Sequence, residues 1–472
     1  MKAGELRNGG TRLVGKLDVQ HQGSMSGDTS SPTEAMSKHV RTIQHRIATL
    51  AEYHAKEGLS SIHHHMDKWW LAEAYRELEP NKAPGIDGVS KAEYGEGLSQ
   101  RLEDLVNRVR SRAYRAPNIK RVMIPKGNGE FRPLGLLNME DKVLQKGFVM
   151  LVEPVFEREF YDFSYGFRPG RSPHQALRAL RRHVGEGGLH WVIDLDLRKY
   201  FDTIPHLRLR ELFSRRIRDG VLNRLVLGWL KAGVLHEGKV TISDEGTPQG
   251  GIVSPLLSNL YLHEALDHWF VQEVQPRLKG AAQLMRFADD AVLCFARKED
   301  AEAVLKELGE RMTEYGLTLH PEKTKLVDFR PPSRGQSKGQ GSFNFLGLSF
   351  YWAQTRRGRM VVKLKTARDR LIRKIKETGE WLKANRHEPV AQQHAQLSAK
   401  IRGHIQYYGV SFNSEALGTF VWEATRRWKQ WLARRGGRTY WNWERMKSFL
   451  KTFPLPQPRI VHNLFVTTGC EA

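Results

Sequence analysis

A chain of 472 residues, with 40% hydrophobic and 27% charged residues, is long enough for two or three globular domains. Its 75 Lys and Arg against 52 Asp and Glu give a formal charge of +23, which favours nucleic acid as the partner because a polyanion relieves self-repulsion. The two cysteines exclude a disulfide framework and paired-cysteine zinc sites, and no apolar run approaches the roughly twenty residues of a membrane span. We therefore expect no membrane partner and a reducing, cytoplasmic setting.

The beginning of the chain predicts a flexible segment followed by a helix. Residues 1–37 are rich in Gly, Ser, Thr and basic residues, which is typical of a flexible basic segment. Val40, Ile43 and Ile47 then recur at helical spacing, so residues 38–56 are predicted to form an amphipathic helix.

Residues 80–350 mix strand-like runs, helices and turns, as an α+β domain does. The runs "VMIPK" and "FRPLGLL" flank "GNG" and predict a β-hairpin. The residues 331–342 are predicted to form a flexible basic loop because Gly, Ser and Pro dominate them. Three further strand candidates are "HWVIDLDL", "MRFADDAVLCF" and "FNFLGLSFYW".

Beyond about residue 362 the strand signals stop and helical periodicity takes over. Leu397, Ile401 and Ile405 mark one of three apolar stripes whose opposite faces carry Arg and Lys. We expect a basic, helical domain of about one hundred residues there.

Five aspartates could bind metal. Asp289 and Asp290 are adjacent in a strand-like run, where alternation would send them to opposite faces, but at the tip of a tight hairpin both can reach one pocket. The run "VIDLDLRKYFDTI" adds Asp194, Asp196 and Asp202. Carboxylates from different strands can hold Mg²⁺ for in-line attack on a phosphate. For any single aspartate, a solvated turn or helix cap is the alternative.

Two other segments have residue types suited to a nucleotide. Lys126 and Arg132 flank the predicted hairpin and could clamp a phosphate. Gln249 lies beside two glycines in "GTPQGGIVSPLLSNLYL", where a nucleotide could approach the backbone.

The order of the motifs is more specific than any one of them. The chain resembles the group II intron reverse transcriptases, almost continuously over residues 70–350 and more weakly to about residue 440. The motifs that carry this resemblance are "NKAPGIDGVS", "IPKGNGEFRPLGL", "SYGFRPGRSPHQAL", "DLDLRKYFDTI", "GTPQGGIVSPLLSNLYL", "RFADD", "GLTLHPEKTKLV" and "FNFLGLSF".

This resemblance implies a right-hand polymerase of α+β class followed by an all-α thumb and maturase domain. The predicted divisions are the flexible segment 1–37, fingers and palm at 38–350, the thumb and maturase domain at 351–460, and a short tail at 461–472.

The resemblance also assigns the catalytic metal ligands. "FADD" is similar to the catalytic box of the family, so Asp289 and Asp290 would be metal ligands. The third ligand of the family stands five residues before an aromatic residue, which selects Asp196 over Asp194 by its offset from Phe201. Asp202 is expected to have a structural role.

The nucleotide contacts follow in the same way. Lys126 and Arg132 would hold the triphosphate of the dNTP, and Gln249 would contact the incoming nucleotide. Phe201 would lie under its sugar and disfavour a 2′-hydroxyl, unless it is only a core aromatic. Lys323 matches a lysine proposed to protonate the leaving pyrophosphate, although a solvated charge or a backbone contact is an equal alternative.

The primer and RNA contacts are expected further along the chain. "FNFLG" resembles the primer-gripping hairpin, in which Gly347 allows close backbone approach. "IRGHIQYYG", with Arg402 and Tyr407, is similar to the block that grips intron RNA. Arg426 and Arg427 belong to a later stretch of alternating aromatic and basic residues suited to RNA.

The function implied is RNA-directed DNA synthesis with two Mg²⁺ ions during retrohoming in the bacterial cytoplasm or nucleoid, together with intron RNA binding that assists splicing. The partners would be intron RNA, a DNA target or primer, and dNTPs, and a homodimer is left open. Two alternatives remain: a free-standing reverse transcriptase recruited to defence, CRISPR spacer acquisition or repair, and an RNA-binding splicing factor without polymerase activity. The Cys and His clusters of the endonuclease domain that ends many family members are not found in this sequence.

Overall fold

The computed structural model describes residues 32–125, 131–236, 239–247, 250–333, 336, 338–435 and 441–465. It is a mixed α and β structure with fifteen α-helices and eleven strands in these ranges. The helices are α1 Pro32–Tyr53, α2 Lys68–Glu77, α3 Lys91–Gly95, α4 Leu98–Arg110, α5 Met139–Phe156, α6 Pro173–Gly185, α7 Tyr200–Thr203, α8 His206–Arg216, α9 Gly220–Leu230, α10 Ser254–Leu262, α11 Lys298–Glu314, α12 Arg368–Ala384, α13 Val390–Tyr408, α14 Ser414–Leu432 and α15 Trp443–Thr452.

The strands form three separate sheets. Their orders are β2-β1-β4-β5, β6-β7-β3-β8 and β11-β10-β9. The strands are β1 Ile119–Pro125, β2 Phe131–Leu136, β3 Trp191–Leu195, β4 Val234–His236, β5 Lys239–Thr241, β6 Ala282–Phe287, β7 Asp290–Phe295, β8 Lys325–Asp328, β9 Lys338–Phe345, β10 Leu348–Gln354 and β11 Met360–Thr366.

The sheet β6-β7-β3-β8 is buried on both faces. Neighbouring residues of β3 enter different cores: Val192 packs with α6, and Ile193 packs with the large helical core that contains α5 and α10. Val292 and Leu293 divide in the same way on β7. Because successive side chains of a strand point to opposite faces, a sheet covered on both sides requires the unbroken apolar runs seen in the sequence. This sheet supports the acidic residues.

Helix α6 shows how local sequence sets up that packing. Ser172 accepts a hydrogen bond from the amide of Gln175, and the Gln175 side chain accepts one from the amide of Ser172, with Pro173 at the first helical position. This capping box satisfies amides that the first turn leaves unpaired. The helix then buries Ala176, Leu177, Leu180 and Val184 at helical spacing.

The predicted hairpins are confirmed, and two of the strand candidates each contain two strands. The described residues of "VMIPK" and "FRPLGLL" pair as β1 and β2, and the predicted turn "GNG" lies outside the described residues. "MRFADDAVLCF" contains the end of β6 and the whole of β7, and "FNFLGLSFYW" contains parts of β9 and β10. The predicted N-terminal helix is α1, which begins six residues earlier than expected, at Pro32; residues 1–31 lie outside the described residues.

The predicted flexible loop at 331–342 is partly wrong, because β9 begins at Lys338. Its glycines allow close packing: a Cβ on Gly341 would lie 2.3 Å from the carbonyl oxygen of Asp328, and one on Gly339 would lie 3.0 Å from the Cβ of Trp352. Glycine marks close backbone approach here, which composition alone does not distinguish from a loop.

The domain boundary predicted at residue 350 falls inside β10, and the C-terminal helices begin only at Arg368. Strand β11 pairs along the whole of β10, from Leu348 opposite Thr366 to Gln354 opposite Met360. The three predicted helical stripes are α12, α13 and α14, and α15 is an addition. Their shared core includes Leu382, Leu397, Phe420, Trp428 and Met446.

Candidate metal and nucleotide site

Asp289 and Asp290 lie at the tip of the hairpin that joins β6 to β7. Phe287 pairs with Asp290, so Ala288 and Asp289 form a two-residue turn, and Ala288 adopts φ +58°. Two-residue hairpin turns with positive φ match the natural twist of the strands. The hairpin therefore places the two carboxylates at the end of the sheet, as the sequence predicted.

Strand register brings Asp196 to the same end of the sheet. Leu195, the last residue of β3, pairs with Ala291 of β7. Continuing this antiparallel register by one residue sets Asp196 opposite Asp290. The three aspartates selected by the resemblance thus lie at the same end of the sheet although 93 residues separate Asp196 from Asp289.

The electrostatics of the carboxylates reflect this convergence. Burial, together with the negative charges of Asp194, Asp289 and Asp196, raises the pKa of Asp290 to about 7, and the hydrogen bond from the Leu346 amide opposes the shift. Burial also raises the pKa of Asp289, with Asp196 adding to the effect and the Arg132 guanidinium opposing it. Neighbouring carboxylates that hinder one another's ionisation are stabilised by a cation.

Asp196 is held by the segment before β8. The amide of His320 donates to the Asp196 carbonyl at 2.8 Å, and the Thr324 hydroxyl both donates to that carbonyl and accepts from the Asp196 amide. The Asp196 carboxylate faces Lys323, whose Nζ lies 3.4 Å from Oδ2. The structure therefore places Lys323 beside a predicted metal ligand.

The donor set suits a hard divalent cation, but its members are not yet assembled around one point. In the described ranges, no three His, Cys, Asp or Glu side chains meet closely enough to hold a metal ion as they stand. Asp196 is engaged by Lys323, and Asp290 Oδ2 accepts from the Leu346 amide at 3.2 Å. Carboxylate oxygens are the ligands that such cations prefer, so the residues fit a metal that draws them together.

The remaining aspartates of the second motif occupy different surroundings. Asp194 lies within β3, opposite Val292 on one side and Lys325 on the other, and burial raises its pKa to about 6. Asp202 is exposed in the short helix α7. Asp202 is thus open to solvent, whereas Asp194 is buried and close enough for its charge to act on Asp290.

The predicted nucleotide contacts are partly described. Lys126 and Gln249 lie outside the described residues. Arg132, on β2, is close enough for its charge to act on Asp289. Phe201 is half-buried in α7, and its carbonyl accepts from the amide of Thr247, two residues before Gln249 in the chain. Phe201 also packs against the large core, so it has a structural role whether or not it contacts a sugar.

The predicted primer and RNA residues lie in two places. Gly347 is in the turn between β9 and β10, beside Asp290. Tyr407 is on α13, and its hydroxyl donates to the Leu346 carbonyl in that same turn. Arg402, on α13, is exposed, while Arg426 and Arg427 on α14 both face Glu423, with Arg426 the more exposed.

One network behind the hairpin was missed by sequence reasoning. Arg286 and Asp267 are both fully buried and form a bidentate ion pair. Arg286 also donates to Asn259 and to the Ala288 carbonyl. Asp267 lies in a π-helical stretch, His263–His268, a rare geometry that often accompanies functional sites. The available signal was an arginine between the apolar residues Met285 and Phe287, three residues before Asp289.

Within the part of the chain that the structure describes, no helix combines the length and hydropathy needed to cross a membrane.

Comparison with known proteins identifies relatives over much of the chain. Residues 124–350 match the family model described as reverse transcriptase (RNA-dependent DNA polymerase). Protein YkfC of Escherichia coli K12 is 37% identical over 290 residues, which cover 54% of this chain and 76% of YkfC. The group II intron-encoded protein LtrA of Lactococcus lactis is 32% identical over 240 residues, which cover 50% of this chain but only 39% of LtrA. The nuclear intron maturase 2 of Arabidopsis thaliana is 27% identical over 177 residues.

Proposed function

The chain belongs to the family of group II intron reverse transcriptases and maturases, and on that basis we propose that it copies RNA into DNA at the hairpin tip that carries Asp289 and Asp290. The observation that carries this proposal is the strand register that sets Asp196 opposite Asp290. Reverse transcriptases use divalent metal ions, and we assign their binding here to Asp196, Asp289 and Asp290. Two Mg²⁺ ions are proposed, since several carboxylates from different strands suit a two-metal site.

The family architecture would map onto the sheets and helices as follows. The sheet β6-β7-β3-β8 with its covering helices would be the palm, because it carries the acidic residues. The sheet β2-β1-β4-β5, with Arg132 on β2, would belong to the fingers. Helices α12 to α15, which have their own apolar core, would form the thumb and maturase domain.

When bound, the divalent ions would lower the pKa of the primer 3′-hydroxyl and neutralise phosphate charge. The residues of the chain would supply position and proton transfer. Asp196 is fixed through its backbone by His320 and Thr324, which leaves its carboxylate free to turn from Lys323. Lys323 Nζ, once released, would donate its proton to the leaving pyrophosphate oxygen. Arg132, whose charge already acts on Asp289, would contact the triphosphate. Phe201 would exclude the 2′-hydroxyl by contact.

Primer extension on RNA and DNA templates, with and without Mg²⁺, tests the chemistry. We expect RNA-templated synthesis that requires the cation and falls by about 10³-fold or more in Asp289→Ala, because the ligand acts directly on the transition-state charge. Binding of the same RNA should change less than about twofold, since affinity for phosphate comes mainly from Lys and Arg and not from a single carboxylate. An Asp289→Ala variant that extends primers at the wild-type rate would refute the metal assignment.

A second function, assistance to intron splicing, is favoured by the charge of the C-terminal helices. Arg402 is exposed on α13, and the surface of α12 carries Arg and Lys on successive turns. Such a surface suits RNA phosphates. Self-splicing of the cognate intron at low Mg²⁺, with and without Asp289→Ala protein, separates the two functions. Splicing assistance that survives Asp289→Ala supports a maturase role independent of polymerisation. Equal splicing with and without protein would exclude it and favour a free-standing polymerase.

A further inference from the structure

The turn between β9 and β10 connects Asp290 with the C-terminal helices. Phe345 pairs with Leu348, which leaves Leu346 and Gly347 as a two-residue turn with φ +52° and +76°. Positive φ at both positions is the geometry of a type I′ turn, for which Asn-Gly is the preferred pair. Leu346 is a large side chain in a backbone region that such residues rarely occupy, so its surroundings must hold it there.

Both polar groups of Leu346 are engaged, and by different parts of the molecule. Its amide donates to Asp290 Oδ2 at 3.2 Å, and its carbonyl accepts from the Tyr407 hydroxyl at 3.1 Å. The next residue is also held, since the Gly347 carbonyl accepts from the amide of Ala367 at 3.0 Å, just before α12. One residue thus links the end of α13 to a predicted metal ligand.

Tyr407 is itself fixed in place. Its carbonyl accepts from Nε2 of His174 at 2.9 Å, and the His174 ring stacks on His462 with the centroids 3.5 Å apart. His462 in turn donates from Nε2 to the Gln406 carbonyl at 2.8 Å. The last turn of α13 is therefore attached to the first turn of α6, and the Tyr407 hydroxyl has little freedom to move.

We propose that Tyr407 is a positioning residue that sets the Asp290 carboxylate through the strained Leu346 turn. The hydrogen bond from the Tyr407 hydroxyl holds Leu346, whose amide donates to Asp290 Oδ2. With Oδ2 held, the direction in which Asp290 Oδ1 faces the site is also fixed. Helix α13, which also presents Arg402, thereby connects the RNA-facing domain to the metal site. This inference rests on the proposed function, because it takes Asp290 as a metal ligand.

The matched pair of variants is Tyr407→Phe and Tyr351→Phe. Both remove one hydroxyl, but Tyr351 lies on β10 and its hydroxyl makes no hydrogen bond to the described residues. Electron paramagnetic resonance measures Mn²⁺ binding to the 472-residue chain and so tests the metal site without catalysis. We expect Tyr407→Phe to weaken Mn²⁺ binding about three- to tenfold, the effect of one lost hydrogen bond, and Tyr351→Phe to leave it unchanged.

Kinetics give the second measurement. Tyr407→Phe should raise the Mg²⁺ concentration for half-maximal primer extension by about the same three- to tenfold factor. The KM for dNTP at saturating Mg²⁺ should stay within about twofold, because the hydroxyl is already engaged by the Leu346 carbonyl. Equal Mn²⁺ affinity and equal Mg²⁺ half-saturation in Tyr407→Phe and Tyr351→Phe would overturn the proposal.

Recovery of Mn²⁺ affinity in a double variant distinguishes a positioning role of Tyr407 from a general loss of stability. Leu346→Asn creates the Asn-Gly pair that adopts this turn without outside support, so the double variant Leu346→Asn, Tyr407→Phe should regain most of the lost Mn²⁺ affinity. A double variant that folds but binds Mn²⁺ no better than Tyr407→Phe would count against the mechanism. If the wild-type protein fails to extend primers, the proposed function fails, while the difference in Mn²⁺ binding still tests the role of Tyr407.

Discussion

Asp267 and Arg286 form a buried ion pair directly behind the hairpin that carries Asp289 and Asp290. Arg286 Nε donates to Asp267 Oδ1 at 2.7 Å and Nη2 to Oδ2 at 2.5 Å, and neither side chain reaches solvent. Arg286 Nη1 donates to the Ala288 carbonyl at 3.2 Å, which anchors the residue before Asp289. The orientation of the acidic turn is thus set by a charge pair nineteen residues apart in sequence.

Removal of one partner of this pair should be costly. Asp267→Asn leaves an uncompensated buried guanidinium, so we expect about 3–5 kcal/mol loss in the free energy of unfolding, measured by urea denaturation. The matched control is the exposed pair Arg277–Glu307, where Glu307→Gln should cost less than about 1 kcal/mol. Similar losses in the two variants would show that the buried pair does not anchor the hairpin.

The choice of Asp196 over Asp194 can be tested directly. Asp196→Asn removes a predicted metal ligand and should reduce primer extension by about 10³-fold. Asp194→Asn retains the three predicted ligands and should keep extension within about tenfold of wild type. Single-turnover extension at saturating Mg²⁺ measures both. A loss in Asp194→Asn that equals or exceeds the loss in Asp196→Asn would reverse the assignment.

Lys323 should affect chemistry and not stability. Its Nζ is 3.4 Å from Asp196 Oδ2, but the side chain is 60% exposed, so the ion pair contributes little to folding. Lys323→Gln should lower kcat by about 10²-fold if the amine protonates pyrophosphate, with a Tm close to wild type. Lys325→Gln, an exposed lysine two residues away on β8, is the matched control. Equal kcat in both variants would support the alternative of a solvated charge.

Asp141 predicts a pH dependence of stability. Burial raises the pKa of Asp141 to about 6, although hydrogen bonds from Tyr114, Trp229 and Gln145 oppose the shift. The folded state therefore binds the proton more tightly than the unfolded state, whose carboxyl has the ordinary pKa of 3.8. Stability from this group is present below about pH 4 and is lost as the pH rises through 6.

Comparison with Asp141→Asn isolates this contribution, since the amide does not titrate. The free energy of unfolding of the variant minus that of wild type should rise by about 3 kcal/mol between pH 4 and pH 7. Urea denaturation at several pH values measures the difference. The exposed Asp244→Asn should show almost no such trend. A flat difference for Asp141→Asn would show that its carboxyl titrates normally in the folded protein.

The elements that could be predicted depend on signals within a few residues. The hairpin of β1 and β2, helix α1 and the stripes of α12, α13 and α14 all follow from local periodicity and turn residues. The predictions failed where a local signal had two meanings. Gly339 and Gly341 indicated a loop, whereas they lie in a strand whose neighbours leave no room for a Cβ.

By itself, the sequence determined the family, the order of its motifs and the two adjacent carboxylates at a hairpin tip, because these are carried by residue types at short spacing. The tertiary structure decided which distant groups act on them. Lys323 contacts Asp196, from which it is separated by 127 positions in the sequence, and Tyr407 contacts Leu346, from which it is separated by 61 positions. Such contacts arise from strand register and helix packing, which depend on the whole core and leave no local periodicity to detect.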